Sequence, residues 1–192
     1  VYDGIHSAYR NRRHGNSPND LSGMRFVVYT QNHDQVGNRM LGERLSELVS
    51  FEADKLAAGL LLASPFLPLI FMGQEYGETA PFRYFTSHGE EQLAWDVREG
   101  RKREFKAFSW QGDPPDPQDP GTFSGCVLDW DKRYNGRHRS IAGLYSALIG
   151  LRKSMPSLRQ HRLDLLSVSS SNQDAIITLL RWSKQETAAA VC

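Results

Sequence analysis

The stretch RFVVYTQNHDQVGNR, residues 25–39, joins a run of β-branched and aromatic residues to a run of polar ones. The first half shows little polar alternation, which is typical of a parallel strand covered on both faces. The second half opens with Gln31, Asn32, His33 and Asp34, whose side chains are costly to bury without hydrogen-bond partners. A buried strand with a polar carboxyl end is therefore the feature from which the fold is predicted.

The same pattern returns roughly forty residues further along the chain. SFEADKLAAGLLLAS, residues 50–64, offers Ser50 as an N-cap, acidic residues in the first turn and apolar residues all round, which predicts a well-buried helix. After Pro65, the apolar run LPLIFM, residues 67–72, closes in GQEYG, residues 73–77. Strand, helix and strand predict a βαβ unit, and the spacing is compatible with one repeat of a (β/α)8 barrel.

The other segments predict helices and then an antiparallel β element. Residues 1–23 are interpreted as a loop with a short helical turn, and residues 89–110 as a charged helical region. A Pro/Asp loop without regular structure is predicted at residues 111–123, and an amphipathic helix from about Ser140 to Lys153. Residues 163–182 indicate two strands around a polar turn.

The predicted fold class is α/β, in two parts. Residues 1–157 are the last two β/α units of a TIM-type (β/α)8 barrel with a helical extension, and residues 158–192 begin an antiparallel β-rich C-terminal domain. A whole barrel of this type needs about 250 residues. The chain also opens without a methionine and stops just after a strand-like run, which predicts a segment of a longer protein.

Composition argues against a nucleic-acid partner. The chain has 23 Lys and Arg against 22 Asp and Glu, so no overall field attracts polyanions. The strongest basic cluster is interleaved with Glu99 and Glu104, which predicts a solvated helix face with local ion pairs. That cluster consists of Arg98, Arg101, Lys102, Arg103 and Lys106.

Membrane and cofactor functions are not predicted either. The apolar run at residues 57–72 is short for a bilayer and contains Pro65 and Pro68. Two cysteines, Cys126 and Cys192, provide no disulfide framework and favour a cytoplasmic location. Scattered acidic residues and the lack of a phosphate-binding glycine loop predict no metal and no organic cofactor.

Two motifs resemble one large enzyme superfamily. FVVYTQNHDQVGNR resembles the segment of the α-amylase superfamily of glycoside hydrolases and transferases that supplies its third catalytic carboxylate. PLIFMGQEYG resembles the eighth-strand segment of the same superfamily. GETAPFRYFTSH, VREGRKREF, PDPQDPGTF and LDW are similar to the family of the maltooligosyltrehalose trehalohydrolases within it.

The resemblance implies a substrate and a mechanism. It implies hydrolysis of the α-1,4 bond between a terminal trehalose unit and a maltooligosaccharide, with retention at the anomeric carbon and release of trehalose. A nucleophilic Asp, an acid/base Glu and a second, stabilising Asp act in that family. Only the last falls in this chain, as Asp34, with His33 as the neighbouring sugar-binding residue. An ionised carboxylate at this place favours the oxocarbenium-like transition state over the neutral sugar.

Four more polar residues are candidates for contact with the substrate. Asn32, Gln35 and Arg39 flank the motif, where they either touch the sugar or support the residues that do. Glu75 holds the equivalent end of the next strand, although an acidic residue in a tight glycine turn near a helix start has an equally ordinary structural explanation.

Other interpretations stay open. The shared chemistry serves α-glucan branching and debranching enzymes equally well, so a related α-glucan is the alternative substrate. A chain with one of three carboxylates is expected to be inactive by itself, which leaves a non-catalytic role in interactions. The open sheet edges of a partial barrel predict self-association, rearrangement or marginal stability.

Overall fold

The computed structural model describes residues 3–18, 20–107, 112–185 and 187–191. Within these ranges the chain forms seven α-helices, which are α1 His33–Gly37, α2 Leu45–Leu48, α3 Phe51–Ala63, α4 Glu91–Ala107, α5 Pro120–Ser124, α6 Gly136–Ser154 and α7 Pro156–Arg159. Three short 3-10 helices span Gly23–Arg25, Gln74–Tyr76 and Trp130–Tyr134. Seven strands are β1 Asp3–Ser7, β2 Arg12–Gly15, β3 Val27–Val28, β4 Leu67–Pro68, β5 Leu166–Ser171, β6 Ile176–Trp182 and β7 Thr187–Val191. The contacts divide the chain into two compact units, each of which draws on separated segments.

The first unit contains all of the strands. It comprises Val1–Val28, Leu62–Pro68 and Ile149–Cys192. Strands β1 and β2 form an antiparallel hairpin, so the predicted loop at residues 1–23 is wrong over these strands. The many polar residues of the hairpin concealed the β pattern, because both of its faces lack an apolar row.

The predicted parallel pairing of the two apolar runs is confirmed. Val27 pairs with Leu67 and Val28 with Pro68, and the amide of Leu67 donates to the carbonyl of Phe26 at 2.9 Å. Phe26 and Phe66 pack edge to face beside this pair, with ring centroids 5.9 Å apart. The strands are shorter than the apolar runs predicted, since Pro68 has no amide with which to continue the ladder. Their place in a (β/α)8 barrel stays a prediction.

The predicted hairpin at residues 163–182 is also confirmed. Strands β5 and β6 pair antiparallel from Leu166 with Arg181 to Ser171 with Ile176. A third strand, β7, pairs with the other side of β6. It was not predicted, because alanine is depleted in strands and a run of three alanines carries little β signal.

The second unit is built from helices and loops. It comprises Tyr29–Leu61 and Leu69–Leu148. The hydroxyl of Ser50 accepts from the amide of Ala53 at 3.2 Å, which confirms the predicted cap of α3. Ala58 is fully buried, whereas Leu56 is 43% exposed, so the prediction that α3 is buried all round is wrong on one side. Helix α6 starts four residues earlier than predicted and buries Ile141 and Tyr145 on the expected face.

One amide side chain holds the centre of this unit together. Nε2 of Gln74 donates to the hydroxyls of Thr30 at 2.7 Å and Tyr145 at 2.8 Å, and its Oε1 accepts from the amide of Phe71 at 3.0 Å. Gln74 is 3% exposed and lies in a 3-10 turn, Gln74–Tyr76, after the second apolar run. It therefore fixes the polar ends of both apolar runs against helix α6.

The Pro/Asp region is more ordered than predicted. Asp119 caps helix α5 by accepting from the amide of Gly121 at 2.7 Å, and Pro120 occupies the first helical position. This arrangement suits proline, which has no amide to satisfy there. The predicted absence of regular structure is therefore wrong for the end of the region. Across the described ranges, no helix is long and apolar enough to cross a bilayer.

Candidate active site

Asp34 and His33 stand in the first turn of helix α1. The helix begins there because Oδ1 of Asn32 accepts from the amide of Gln35 at 2.9 Å, while the backbone of Asn32 stays extended. An asparagine N-cap of this kind satisfies a free amide of the first turn. The cap therefore fixes the backbone of the turn from which the side chains of His33 and Asp34 project.

The two side chains contact each other and face solvent. Nε2 of His33 lies 3.1 Å from Oδ1 of Asp34, and the side chains are 70% and 72% exposed. Both line a cleft of about 210 Å³, whose other lining residues are Gly37, Asn38, Phe82, Arg83, Tyr84 and Phe85. The cleft thus joins a carboxylate and an imidazole to an aromatic wall with one guanidinium.

Residues 82–85 reach α1 through a close backbone approach at Gly42. The amide of Phe82 donates to the carbonyl of Gly42 at 2.8 Å. A Cβ atom on Gly42 would lie 2.6 Å from backbone atoms of Phe82 and Arg83, and its φ is +69°. Only glycine fits both the contact and this left-handed conformation. The aromatic wall therefore depends on a residue that has no side chain.

A buried carboxylate anchors the start of the same wall. Glu78 is fully buried, and its oxygens accept from the amides of Thr79, Ala80 and Asp129 at 2.7–2.8 Å. The ammonium of Lys132 at 2.6 Å and the hydroxyl of Tyr76 at 2.9 Å complete the set. Burial alone would raise the pKa of Glu78, but these hydrogen bonds lower it to about 2.

Arg44 supports the other side of this segment. Its Nε donates to the carbonyl of Ala80 at 2.6 Å and its Nη1 to that of Met72 at 2.7 Å, with the guanidinium 5.2 Å from the ring centre of Phe71. The residue is 1% exposed, and burial lowers its pKa despite the nearby negative charge of Glu78. These bonds fix the backbone that leads into the cleft wall.

Arg101 of helix α4 contacts three of the residues that line the cleft. Its guanidinium donates to the carbonyl of Gly37 at 3.0 Å and to Asn38 at 3.3 Å, and it stacks 4.7 Å from the ring centre of Tyr84. The predicted local ion pairs of the basic cluster are confirmed, as between Lys102 and Glu99 at 2.9 Å. Arg101 is 11% exposed, however, so the predicted solvated face does not extend to it.

The remaining predicted site residues lie outside the cleft lining. Asn32 acts as the helix cap, and Gln35 is exposed in the first turn of α1. Arg39 lies 3.4 Å from Glu43, four residues along the chain. Glu75 is half-buried in the turn Gln74–Tyr76. The structure thus brings His33 and Asp34 together at the cleft. The other four candidates do not line it.

The sequence analysis did not single out Gly37, Asn38 or residues 82–85 as cleft residues. Residues 82–85 reach the cleft through contacts with a segment about forty positions earlier, which no local pattern encodes. The cluster FRYF, aromatic and basic in a segment with no helical or strand period, was the available signal. Within the described part of the chain, no three His, Cys, Asp or Glu residues are grouped so that they could hold a metal ion.

Comparisons with known proteins give close relatives but no family profile. No family model matches the chain. The malto-oligosyltrehalose trehalohydrolase of Saccharolobus solfataricus is 48% identical over 153 residues, which are 80% of this chain and 25% of that protein. The protein of the same name from a Rhizobium species is 47% identical over 163 residues, or 82% of this chain and 27% of the relative.

A solved structure is similar over nearly the whole chain. The crystal structure of a putative α-amylase from Salmonella typhimurium superposes with a TM-score of 0.87 at 33% identity, covering 99% of this chain and 32% of that one. The chain spans about a quarter of the length of the curated relatives it matches, in their C-terminal part. Seven curated relatives carry the same trehalohydrolase name.

Proposed function

Because the chain belongs to the malto-oligosyltrehalose trehalohydrolase family of the α-amylase superfamily, we propose that it forms part of an enzyme that releases trehalose from maltooligosyltrehalose. The bond cleaved is the α-1,4 bond next to the terminal trehalose unit. The substrate is a neutral oligosaccharide, and no cofactor takes part. A cytoplasmic location belongs to the same proposal, since Cys126 is a free, buried thiol.

Asp34 is the stabilising carboxylate in this proposal. As the bond to the leaving sugar breaks, positive charge develops on the ring, and a fixed carboxylate interacts more strongly with it than with the neutral ground state. The cap by Asn32 holds Asp34 in place before the substrate arrives. His33, in contact with Asp34, donates to a hydroxyl of the same sugar. Nucleophile and acid/base carboxylates come from parts of the enzyme outside this chain.

One observation carries the proposal: Asp34 and His33 meet the aromatic wall of residues 82–85 in a single cleft. The wall lies in the segment GETAPFRYFTSH, residues 77–88, one of the segments on which the resemblance to trehalohydrolases rather than to branching or debranching enzymes is based. The names of the curated relatives support the same choice. The proposed architecture places β3 and β4 as neighbouring strands of the (β/α)8 barrel, with β5–β7 in the domain that follows it.

The test is an assay of the full-length enzyme that contains this chain. We expect free trehalose from maltooligosyltrehalose, and proton NMR of the first product should show the α-anomer of the released maltooligosaccharide, as retention requires. Amylose in place of the substrate is the matched control for branching activity. New α-1,6 branches without trehalose release would refute the proposal and favour the branching alternative.

The 192-residue chain is proposed to be inactive by itself. One carboxylate of three cannot form or break the covalent intermediate. Measurable trehalose release by the purified chain, in amounts that follow its concentration, would contradict the assignment of the nucleophile and the acid to other segments.

A further inference from the structure

A second cavity lies next to the cleft of Asp34 and shares one residue with it. The cavity has a volume of about 460 Å³ and is bounded by residues 85–87, by residues 117–120 and by Phe123. The shared residue is Phe85, which also lines the cleft that holds Asp34. The volume of the cavity lies in the range of small-molecule sites, about 300–1,000 Å³. Nothing in the proposed roles of Asp34 and His33 uses this space.

A series of phenylalanine rings runs from the core to this cavity. Phe71 packs on Phe82, Phe82 on Phe85, and Phe85 on Phe123, with ring centroids 5.2, 5.7 and 5.1 Å apart. Phe71 is 8% exposed, whereas Phe123 is 55% exposed at the outer end. The two outer rings, Phe85 and Phe123, meet edge to face at the cavity and form what we term the Phe85–Phe123 platform.

The walls of the cavity are held in place before any ligand binds. The side chain of Gln118 accepts from the hydroxyl of Thr86 at 3.0 Å and the amide of His88 at 3.1 Å, and donates to the carbonyl of His88 at 3.0 Å. The amide of Thr86 also donates to the carbonyl of Pro117 at 2.8 Å. One amide side chain thus joins both walls, and a site fixed in this way loses little entropy on binding.

The polar groups at the cavity indicate the class of ligand. The lining residues include Ser87, with a hydroxyl, and Asp119, whose Oδ1 also caps helix α5, beside Pro117 and Pro120. None of its lining residues is basic, so a phosphorylated sugar would meet the carboxylate of Asp119 without a cation. A neutral sugar ring has an apolar face for an aromatic ring and hydroxyls for such acceptors.

We infer that the Phe85–Phe123 platform is a binding subsite for the maltooligosaccharide portion of the substrate, remote from the bond that is cleaved. The inference rests on the proposed function for the identity of the substrate. Phe85 joins the two spaces, so one glucan chain extends from Asp34 along Phe85 to Phe123. Phe123 would then determine how strongly long substrates are preferred over short ones.

The test compares Phe123→Ala with the unmodified full-length enzyme on a short and a long maltooligosyltrehalose. Loss of one aromatic contact is expected to lower kcat/KM for the long substrate roughly three- to tenfold, and to leave the short substrate unchanged. Phe123→Tyr should restore the long-substrate value, since the ring is kept. Trp95→Ala is the matched control, because Trp95 is similarly exposed, at 52%, on helix α4.

Equal losses on the two substrates, or no loss on either, would overturn the inference. Calorimetric titration with a sulfur-linked analogue of maltohexaose, whose bonds resist hydrolysis, separates it from the proposed function, since binding is read without turnover. Weaker binding by Phe123→Ala than by Trp95→Ala supports the platform even if the enzyme releases no trehalose. Trehalose release with kinetics that do not depend on substrate length, and equal affinities for the analogue, would reject the platform and leave the function standing.

Discussion

Asp34 lies in a turn that Asn32 caps, and its carboxylate contacts the imidazole of His33. The carboxylate is 72% exposed, and the residue that orders the turn is Asn32, through one hydrogen bond to the amide of Gln35. An exposed carboxylate costs little to keep charged and remains available for a ligand. The arrangement is suited to a group that must meet positive charge only when a substrate is present.

Replacement of Asp34 by asparagine tests directly whether the charge of this carboxylate is needed for catalysis. The side chain keeps its shape and loses its charge, so substrate binding should change little while kcat falls at least ~10²-fold in the full-length enzyme. Steady-state kinetics of trehalose release give both parameters. Asp96→Asn, an exposed carboxylate on helix α4, serves as the control and should retain normal kcat. Near-normal turnover by Asp34→Asn would remove this residue from the mechanism.

Glu78, unlike the exposed Asp34, is fully buried, and both of its carboxylate oxygens accept hydrogen bonds. Its folded-state pKa is lowered to about 2 from an ordinary value of 4.5, so its contribution to stability is present above pH 4.5. That contribution is lost as the pH falls toward 2, because the unfolded state takes up the proton first. The shift corresponds to about 3 kcal/mol at neutral pH.

Glu78→Gln should therefore lower the free energy of unfolding and flatten its dependence on acid. Urea titrations between neutral pH and pH 3 measure both effects. The amide cannot pair with Lys132, so the neutral-pH loss should be at least ~2 kcal/mol. Glu75→Gln, in the same turn region but half-buried, should change neither quantity by more than ~0.5 kcal/mol. An unaltered acid profile in Glu78→Gln would show that another group titrates in this range.

Helices and strands whose apolar residues recur at a regular spacing were predictable from the sequence. Structure made by contacts between distant residues was not. Helix α6 followed from the apolar residues that recur along one of its faces, and β5 and β6 from apolar residues that flank a polar turn. The hairpin β1–β2 escaped because its residues are polar on both faces. The aromatic wall of the cleft escaped because Gly42 and Phe82 meet across forty residues, and a glycine reveals nothing of what approaches it.

Hydrogen bonds between distant residues also stabilise the end of helix α3, in the first unit. Nη1 of Arg152 donates to the carbonyls of Leu62 at 2.7 Å and Ser64 at 2.5 Å, and Nη2 donates to Phe66 at 2.6 Å. Arg181 donates to the carbonyls of Ala63 and Ser64 at 2.9 and 3.0 Å. Burial, and then the charge of Arg152, lower the pKa of Arg181 to about 10. Two guanidinium groups thus satisfy carbonyls that the helix end leaves open.

Arg152→Ala should destabilise this unit substantially. Removal of the guanidinium takes these donors from the carbonyls of Leu62 and Phe66, while Ser64 keeps its bond from Arg181, which predicts a loss of about 2 kcal/mol in the free energy of unfolding. Lys153→Ala is the matched control one residue on, exposed at the same helix end, and should cost at most ~0.5 kcal/mol. Denaturant unfolding followed by circular dichroism measures the difference. Similar stabilities for the two variants would show that solvent replaces these bonds at little cost.

At the scale of the whole molecule, the parallel pair β3–β4 is too small to stand alone. Its sheet contains two strands, and the side chains of Val27 and Leu67 are 57% and 36% exposed. Parallel sheets occur almost only where both faces are covered, and unpaired strand edges attract further strands. In the proposed enzyme the remaining strands of the barrel cover these edges. The 192-residue chain by itself has to present them to solvent or to another copy.

We therefore expect the purified 192-residue chain to self-associate through β3 and β4. Light scattering over a dilution series should give a mass that rises with concentration above 21.7 kDa. Val27→Lys with Leu67→Lys should shift the chain toward monomer, because charged residues on an edge oppose pairing. Leu93→Lys on helix α4 removes a side chain of similar exposure, 41%, and should leave the association unchanged. A compact monomer at every concentration would show that the two strands are covered from within the chain itself.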